Sequence, residues 1–197
     1  MIWANKNNQR IKAIPKERAI CPLCNEEVIS KCGEIKIWHW SHKADFECDT
    51  FSEPETEWHF NWKKKFPNEN QEVRMENHSA DIRSNQGLII ELQNSPISPE
   101  KIREREKFYV YYQQQSMIWI LNGKTIAKNI KFYIQRYKWK WYPPSWNSSS
   151  LVIPIYIDIG DIFLYELNPN PDELSFKNGT FKKISKDAFI IYHGGKP

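Results

Sequence analysis

The chain has 197 residues, 40% of them hydrophobic and 14% aromatic, which is enough apolar mass for one ordinary domain, or for a small module on a domain of about 150 residues. No apolar run is long enough to suggest a membrane span, and the formal charge of +4 permits a nucleic-acid partner without requiring one. The opening Met1-Ile2-Trp3-Ala4-Asn5-Lys6 lacks an apolar signal region, so the expectation is a cytoplasmic protein with no membrane partner.

Residues 1–50 read as a compact module. All four cysteines fall in the first 48 residues, and in a reducing compartment such clustering favours metal over disulfides. Cys21-Pro22-Leu23-Cys24 is a two-residue-spaced knuckle, fourteen residues before His39, and His42 completes an H-x₂-H pair. Cys21, Cys24, His39 and His42 match a tetrahedral structural zinc site if the histidines sit three apart on one face of a helical turn. Cys32 and Cys48 are further candidates, and Cys48 could displace His42 as the fourth ligand. Zinc would hold a segment too poor in apolar residues to fold alone.

Residues 52–66 read as a helix, with Ser52 as N-cap, Pro54 in the first turn, Glu55 completing a capping box and Trp58, Trp62 and Phe66 as the apolar stripe. Pro67 ends it. Strands follow at 71–76, 79–84 and 87–93. Ser98 then caps a helix running to about Gln115, with Ile102, Arg105, Tyr109 and Tyr112 on one side, and a strand covers 117–121. This order predicts an α/β core, a mixed sheet flanked by helices. Residues 131–142 alternate basic and aromatic side chains, 151–157 and 161–167 suggest a hairpin, and 168–179 reads as a polar loop.

The segment 80–93 carries the strongest chemical signal. Asn85-Gln86-Gly87 suits a short loop with glycine at a left-handed position. Pairing Ser84 with Leu88 sets Asp81 opposite Glu91, with Gln93 on the same face. Opposed like charges destabilise a hairpin. A hard cation between the two carboxylates, Mg²⁺ or Mn²⁺, would remove that penalty and suit a phosphodiesterase site. Against this stands an ordinary pair of solvated acids. Glu91, however, interrupts the apolar strand Leu88-Ile89-Ile90-Glu91-Leu92, where a carboxylate is costly. Phe132, Tyr133, Arg136, Tyr137, Lys138, Trp139, Lys140 and Trp141 could form a platform for unpaired bases and phosphates, or a strand with its aromatics packed inward.

These features together resemble the CoiA-like competence-protein family. The resemblance covers most of residues 20–122. It rests on C-P-L-C, Gly33 through W-H-W-S-H at 38–42, and E-W-H-F-N-W-K at 57–63. A-D-I at 80–82, I-E-L-Q-N-S at 90–95, I-R-E-R-E-K-F-Y at 102–109 and I-W-I-L at 118–121 continue it. It implies a zinc-finger-like module over 1–50 and a PD-(D/E)xK, restriction-endonuclease-like nuclease domain over 51–197 with a β-rich C-terminal extension. Asp81 and Glu91 would match the two metal-binding acids. Gln93 would stand where many nucleases of this superfold carry Lys, and glutamine can orient but supplies no charge. The helix with Glu57 and His59 would face the site. Glu57 could be a third ligand there, or simply a solvated acid. Arg105 could contact the phosphate or pair with an acid. The expected function is metal-dependent DNA hydrolysis in competence, DNA processing or recombination. The alternative is a non-catalytic, zinc-containing nucleic-acid-binding adaptor.

Overall fold

The computed structural model describes residues 1–43, 48–124, 129–140, 144–149, 153–170, 172–173 and 175–197. The chain divides into two units, Met1–Ile82 and Arg83–Pro197.

The first unit opens with a five-stranded antiparallel sheet. Strands β1 (Trp3–Lys6), β2 (Gln9–Lys12), β3 (Arg18–Ile20), β4 (Glu27–Lys31) and β5 (His39–His42) lie in the order β2-β1-β3-β4-β5. Asn7 and Asn8, at φ 50° and 61°, make the turn between β1 and β2. Asparagine tolerates the left-handed region that a two-residue hairpin turn demands. The Trp40 amide donates to Met1 O at 2.9 Å, bringing β5 back to the start of the chain. Ala4, Ala13, Ala19, Cys21, Val28 and Trp40 fill a small core, with five of the six side chains too small to supply much apolar area. Helix α1 (Glu57–Lys63) follows, then the antiparallel pair β6 (Gln71–Met75) and β7 (His78–Arg83). Trp58, Trp62 and Phe66 are buried, as their spacing predicts.

The second unit is a mixed sheet with helices. Its strands are β8 (Ile89–Gln93), β9 (Met117–Asn122), β10 (Ile130–Phe132), β11 (Arg136–Trp139), β12 (Ile155–Asp158), β13 (Phe163–Asn170) and β14 (Ser175–Ser185), in the order β10-β11-β14-β13-β12-β9-β8. β9 runs parallel to both β8 and β12, and the remaining pairs are antiparallel. Strands with parallel neighbours are buried on both faces, which is why Ile89, Ile90, Leu92 and all of 117–121 are buried. α2 (Pro99–Glu106) links β8 to β9, and α3 (Lys186–Tyr192) closes the chain. Among the described residues, no helix is long and apolar enough to cross a membrane.

The expected α/β class with a mixed sheet is present. Three local expectations change. Thr56, not Ser52, caps α1, accepting from the His59 amide at 3.3 Å, so the helix is shorter than the apolar stripe implied. After Glu106 the helix widens into a π-turn over 107–112, where the Gln113 amide reaches Phe108 O at 2.9 Å. That wider turn shifts the phase, burying Phe108 and Tyr109 and leaving Tyr112 exposed. The expected polar loop at 168–179 is largely strand, because β13 runs on through Asn168, paired with Thr180. Gly179 makes that close pairing possible, since a Cβ there would overlap the Asn168 carbonyl oxygen. Gly179→Ala should therefore cost about 1–3 kcal/mol. Gly33→Ala, where a Cβ meets open space, should stay within about 0.5 kcal/mol of wild type in the same thermal melts.

Candidate functional site

The first unit holds two clusters of chemistry-bearing side chains. In the first, Cys21, Cys24, His42 and Cys48 present their ligand atoms within 4.8 Å of one another. Cys21 Sγ lies 3.8 Å from Cys48 Sγ, and Cys24 Sγ lies 3.2 Å from His42 Nε2. A tetrahedron with Zn–S bonds of about 2.3 Å has S···S edges of about 3.8 Å, so the donors fit a Cys₃His zinc site in both chemistry and size. Burial pushes the Cys21 and Cys48 thiols up, and burial lowers His42. Without a metal the thiols stay protonated, whereas a dication would reverse that preference. The arrangement is braced from both sides. Asp49, next to Cys48, accepts from the Ser79 amide and pairs with His78 Nδ1 at 2.8 Å, while Phe51 stacks on the His78 ring at 3.5 Å. Arg74 donates to Pro22 O within the knuckle.

The second cluster surrounds Lys63, at the C-terminal end of α1. Its ammonium sits 2.9 Å from Glu55, 3.1 Å from Glu72 and 3.2 Å from Asp81. The register of β6 and β7 sets Glu72 at the position opposite Asp81, so Lys63 lies between two opposed carboxylates. Glu72 is held at φ 44°, a left-handed conformation that aims its carboxylate at the Ile2 and Trp3 amides, 2.8–3.0 Å away. Burial opposes its ionised form, but Lys63, the N-terminal charge and those amides bring it down to about 2. Burial likewise opposes the Lys63 ammonium, and the three carboxylates nevertheless hold it well above its ordinary value. His59, one turn earlier, donates to Glu53 at 3.3 Å and meets Thr56 Oγ1 at 2.8 Å. Burial disfavours its charge, and the Glu53, Asp81 and Glu55 carboxylates outweigh that and raise it.

Three carboxylates converge on one ammonium in this cluster. Among the described residues Glu55 Oε1 is buried with no hydrogen-bond partner, and the Asp81 side chain is the most open of the group at 21% exposure. The arrangement can accept a further cation from the Asp81 side.

In the second unit, Ser84 N–H donates to Leu88 O at 2.8 Å and Gly87 turns at φ 84°. Glu91, 2% exposed on β8, accepts from Arg105 Nη1 at 3.2 Å. The Arg105 guanidinium lies 5.7 Å over Trp119, whose indole donates to Glu106 at 2.9 Å. Gln93 donates to Ser95 O at 2.9 Å.

Two family models match the chain: the N-terminal domain of competence protein CoiA over residues 3–51, and the CoiA nuclease-like domain over residues 61–186. The chain belongs to the CoiA family. Competence protein CoiA of Bacillus subtilis (strain 168) is 24% identical over 151 residues, covering 69% of this chain and 39% of that relative. The chain thus spans about two fifths of the length of the curated relative it matches. No solved structure matches it.

The structure sorts the expected CoiA-like site residues. Cys21, Cys24 and His42 come together, but His39 does not join them; its Nδ1 lies 2.8 Å from Ile37 O, and Cys48 completes the set. The reason is parity. Residues 39–42 form a strand, where positions three apart face opposite sides, not a helical turn where they share one. Cys32 packs against the core beside the cluster and is not a member. Asp81 and His59 share the Lys63 cluster. Glu57 faces solvent in the first turn of α1 and is not part of it. Arg105 is buried against Glu91, not open to a phosphate. Trp139 is 3% exposed and Tyr137 2%, so neither can stack on a base, while Lys138 and Lys140 point outward. Trp141 lies outside the described residues.

Lys63, Glu72 and Glu53 were not singled out from the sequence, and Glu55 only as part of a capping box. Lys63 opens a Lys63-Lys64-Lys65 run that reads as a solvated face, yet it lies four residues after His59 and so on the same face of α1.

Metal analysis should find about one zinc per chain in wild type and in His39→Ala, and far less in Cys48→Ser. Equal zinc in Cys48→Ser would reject the Cys₃His assignment. Lys63→Met should cost on the order of 3–5 kcal/mol at neutral pH by stranding buried carboxylates. Glu72 is held below its ordinary value, so its share of this stability is present above about pH 4.5 and is lost as pH falls toward its folded value of about 2. Melts of wild type and Lys63→Met should therefore converge as the buffer is acidified. A gap independent of pH would point to lost packing alone.

Proposed function

We propose that this CoiA-family chain is a divalent-metal-dependent nuclease that hydrolyses phosphodiester bonds in DNA, working in DNA processing, competence or recombination. The observation that carries this reading is the buried charge cluster at Asp81. Packing alone gives no reason to bury an ammonium among three carboxylates, and such clusters mark functional sites.

Asp81 and Glu91 are the proposed ligands of Mg²⁺ or Mn²⁺. Support comes from the Ser84–Leu88 hydrogen bond, the first rung of the register inferred from sequence. When bound, the ion would lower the pKa of a water and neutralise phosphate charge. The chain's own groups do the rest. Lys63 fixes the Asp81 carboxylate from 3.2 Å and supplies the positive charge that Gln93 lacks. Gln93 orients water or a phosphate oxygen through its amide. His59 is held in its charged form below its raised pKa and donates a hydrogen bond to Glu53, fixing the acidic side of the cluster. The Cys₃His set carries the structural zinc.

One observation favours the second reading, a non-catalytic nucleic-acid-binding adaptor. Arg105 already neutralises Glu91 at 3.2 Å, and both side chains are almost fully buried. A cleavage assay with Mg²⁺ or Mn²⁺ on single-stranded, duplex and branched DNA, with EDTA as control, separates the two. Asp81→Asn and Glu91→Gln should each lower the rate by a factor on the order of 10²–10³, and Glu91→Gln should also melt lower because it leaves the buried Arg105 without its carboxylate. Gln93→Lys should retain more activity than Gln93→Ala. Metal-dependent cleavage that survives in Asp81→Asn would sink the assignment, and no cleavage by wild type would leave the adaptor.

A further inference from the structure

One face of the second unit's sheet gathers four cations on two neighbouring strands. Lys131 on β10 is the register partner of Lys138 on β11. Arg136, two residues before Lys138, is on the same face and pairs with Thr180 of β14; Lys138 itself pairs with Asn178. Lys140 continues the row one residue past the end of β11, where its amide still donates to Asn129 O at 2.6 Å. All four side chains are exposed, and none makes an ion pair or side-chain hydrogen bond among the described residues. The alternate residues Tyr137 and Trp139 are turned inward, at 2% and 3% exposure.

Two features need an explanation. Lysines directly opposite each other across a strand pair repel, and neighbouring strands ordinarily place an acid there. Here the cross-strand partners are lysine, asparagine and threonine. Two acids border the row: Glu173, whose carboxylate accepts from Asn178 Nδ2 at 2.9 Å, and Glu166 on β13, whose register partner is Lys182; neither makes an ion pair with the four cations among the described residues. Four positive charges on one face also equal the whole net charge of +4, so the rest of the chain is close to neutral.

We propose that Lys131, Arg136, Lys138 and Lys140 form a docking face for the phosphate backbone of a nucleic acid. β11 spaces its three cations about 6.8 Å apart in a straight row, which suits a linear polyanion. A bound polyanion would also relieve the Lys131–Lys138 repulsion. Because the aromatics point inward, recognition is by charge and not by stacking, so binding is independent of sequence and strongly dependent on salt. This face shares no residue with the proposed Asp81 and Glu91 site, and it binds nucleic acid whether or not those residues turn it over.

The test is fluorescence anisotropy of a labelled duplex and of its single strand, in EDTA so that no cleavage occurs. The variant combines Lys131→Ser, Arg136→Ser, Lys138→Ser and Lys140→Ser. Its affinity should fall on the order of 10²–10³-fold at ~0.15 M salt, and its log–log salt slope on duplex should flatten by about 0.9 per cation removed. Lys101→Ser with Lys107→Ser, also exposed, should change little. The quadruple variant should melt no lower than wild type at low salt, since it removes a repulsion, and a lower melting temperature would count against the unpaired face. Wild-type affinity and slope in the quadruple variant would overturn the proposal. Binding to phosphatidylserine vesicles that depends on these four residues, with no such dependence for DNA, would overturn it in favour of a lipid. Loss of binding with cleavage absent even in wild type would leave this face standing and remove only the nuclease reading.

Discussion

The Lys63 ammonium is the contact on which the first unit depends. It is buried, and burial of a charge is unfavourable unless partners repay it. Glu55, Glu72 and Asp81 do so from three different stretches of chain: the approach to α1, β6 and β7. The same contact explains why β6 and β7 tolerate carboxylates at opposed positions. It also explains the left-handed Glu72, whose carboxylate must reach Lys63 and the backbone of β1 together.

Through Glu72 the cluster is tied to the Cys/His module. The Ile2 and Trp3 amides end on the Glu72 carboxylate, Trp3 Nε1 donates to Gln71, and Arg10 donates to backbone carbonyls of the same segment. The module's own core is made mostly of alanines and one tryptophan. Such a core gains little from burial, so the struts to β6 take over part of the work, and a metal such as zinc held at Cys21, Cys24, His42 and Cys48 would take over more. Zinc and the acidic cluster are then two supports of one framework, each fixing residues that the other's strands carry.

Much of this was legible in the sequence because it depends on local rules. Strand alternation, the glycine at position 87 and the C-x₂-C knuckle are short-range signals, and so is the inward turn of residues beside lysines in β11. The choice between His39 and Cys48 was not legible, since it turns on whether 39–42 is strand or helix, and a four-residue window fits both. Lys63 was hidden by its neighbours Lys64 and Lys65. Nothing local separates a buried lysine from a solvated one; the partners that keep it charged are 8, 9 and 18 residues away. The π-turn at 107–112 likewise has no sequence signal stronger than that of an ordinary helix, so the exposure of Tyr112 could not be foreseen.

The central claim is that the proposed site at Asp81 and Glu91 holds a divalent cation. Titration of Mn²⁺ into the zinc-loaded protein, followed by water-proton relaxation, tests it directly. The account predicts one Mn²⁺ bound beyond the zinc, displaced by Mg²⁺ and lost in Asp81→Asn. No bound Mn²⁺ at millimolar concentration, or binding unchanged in Asp81→Asn, would contradict it.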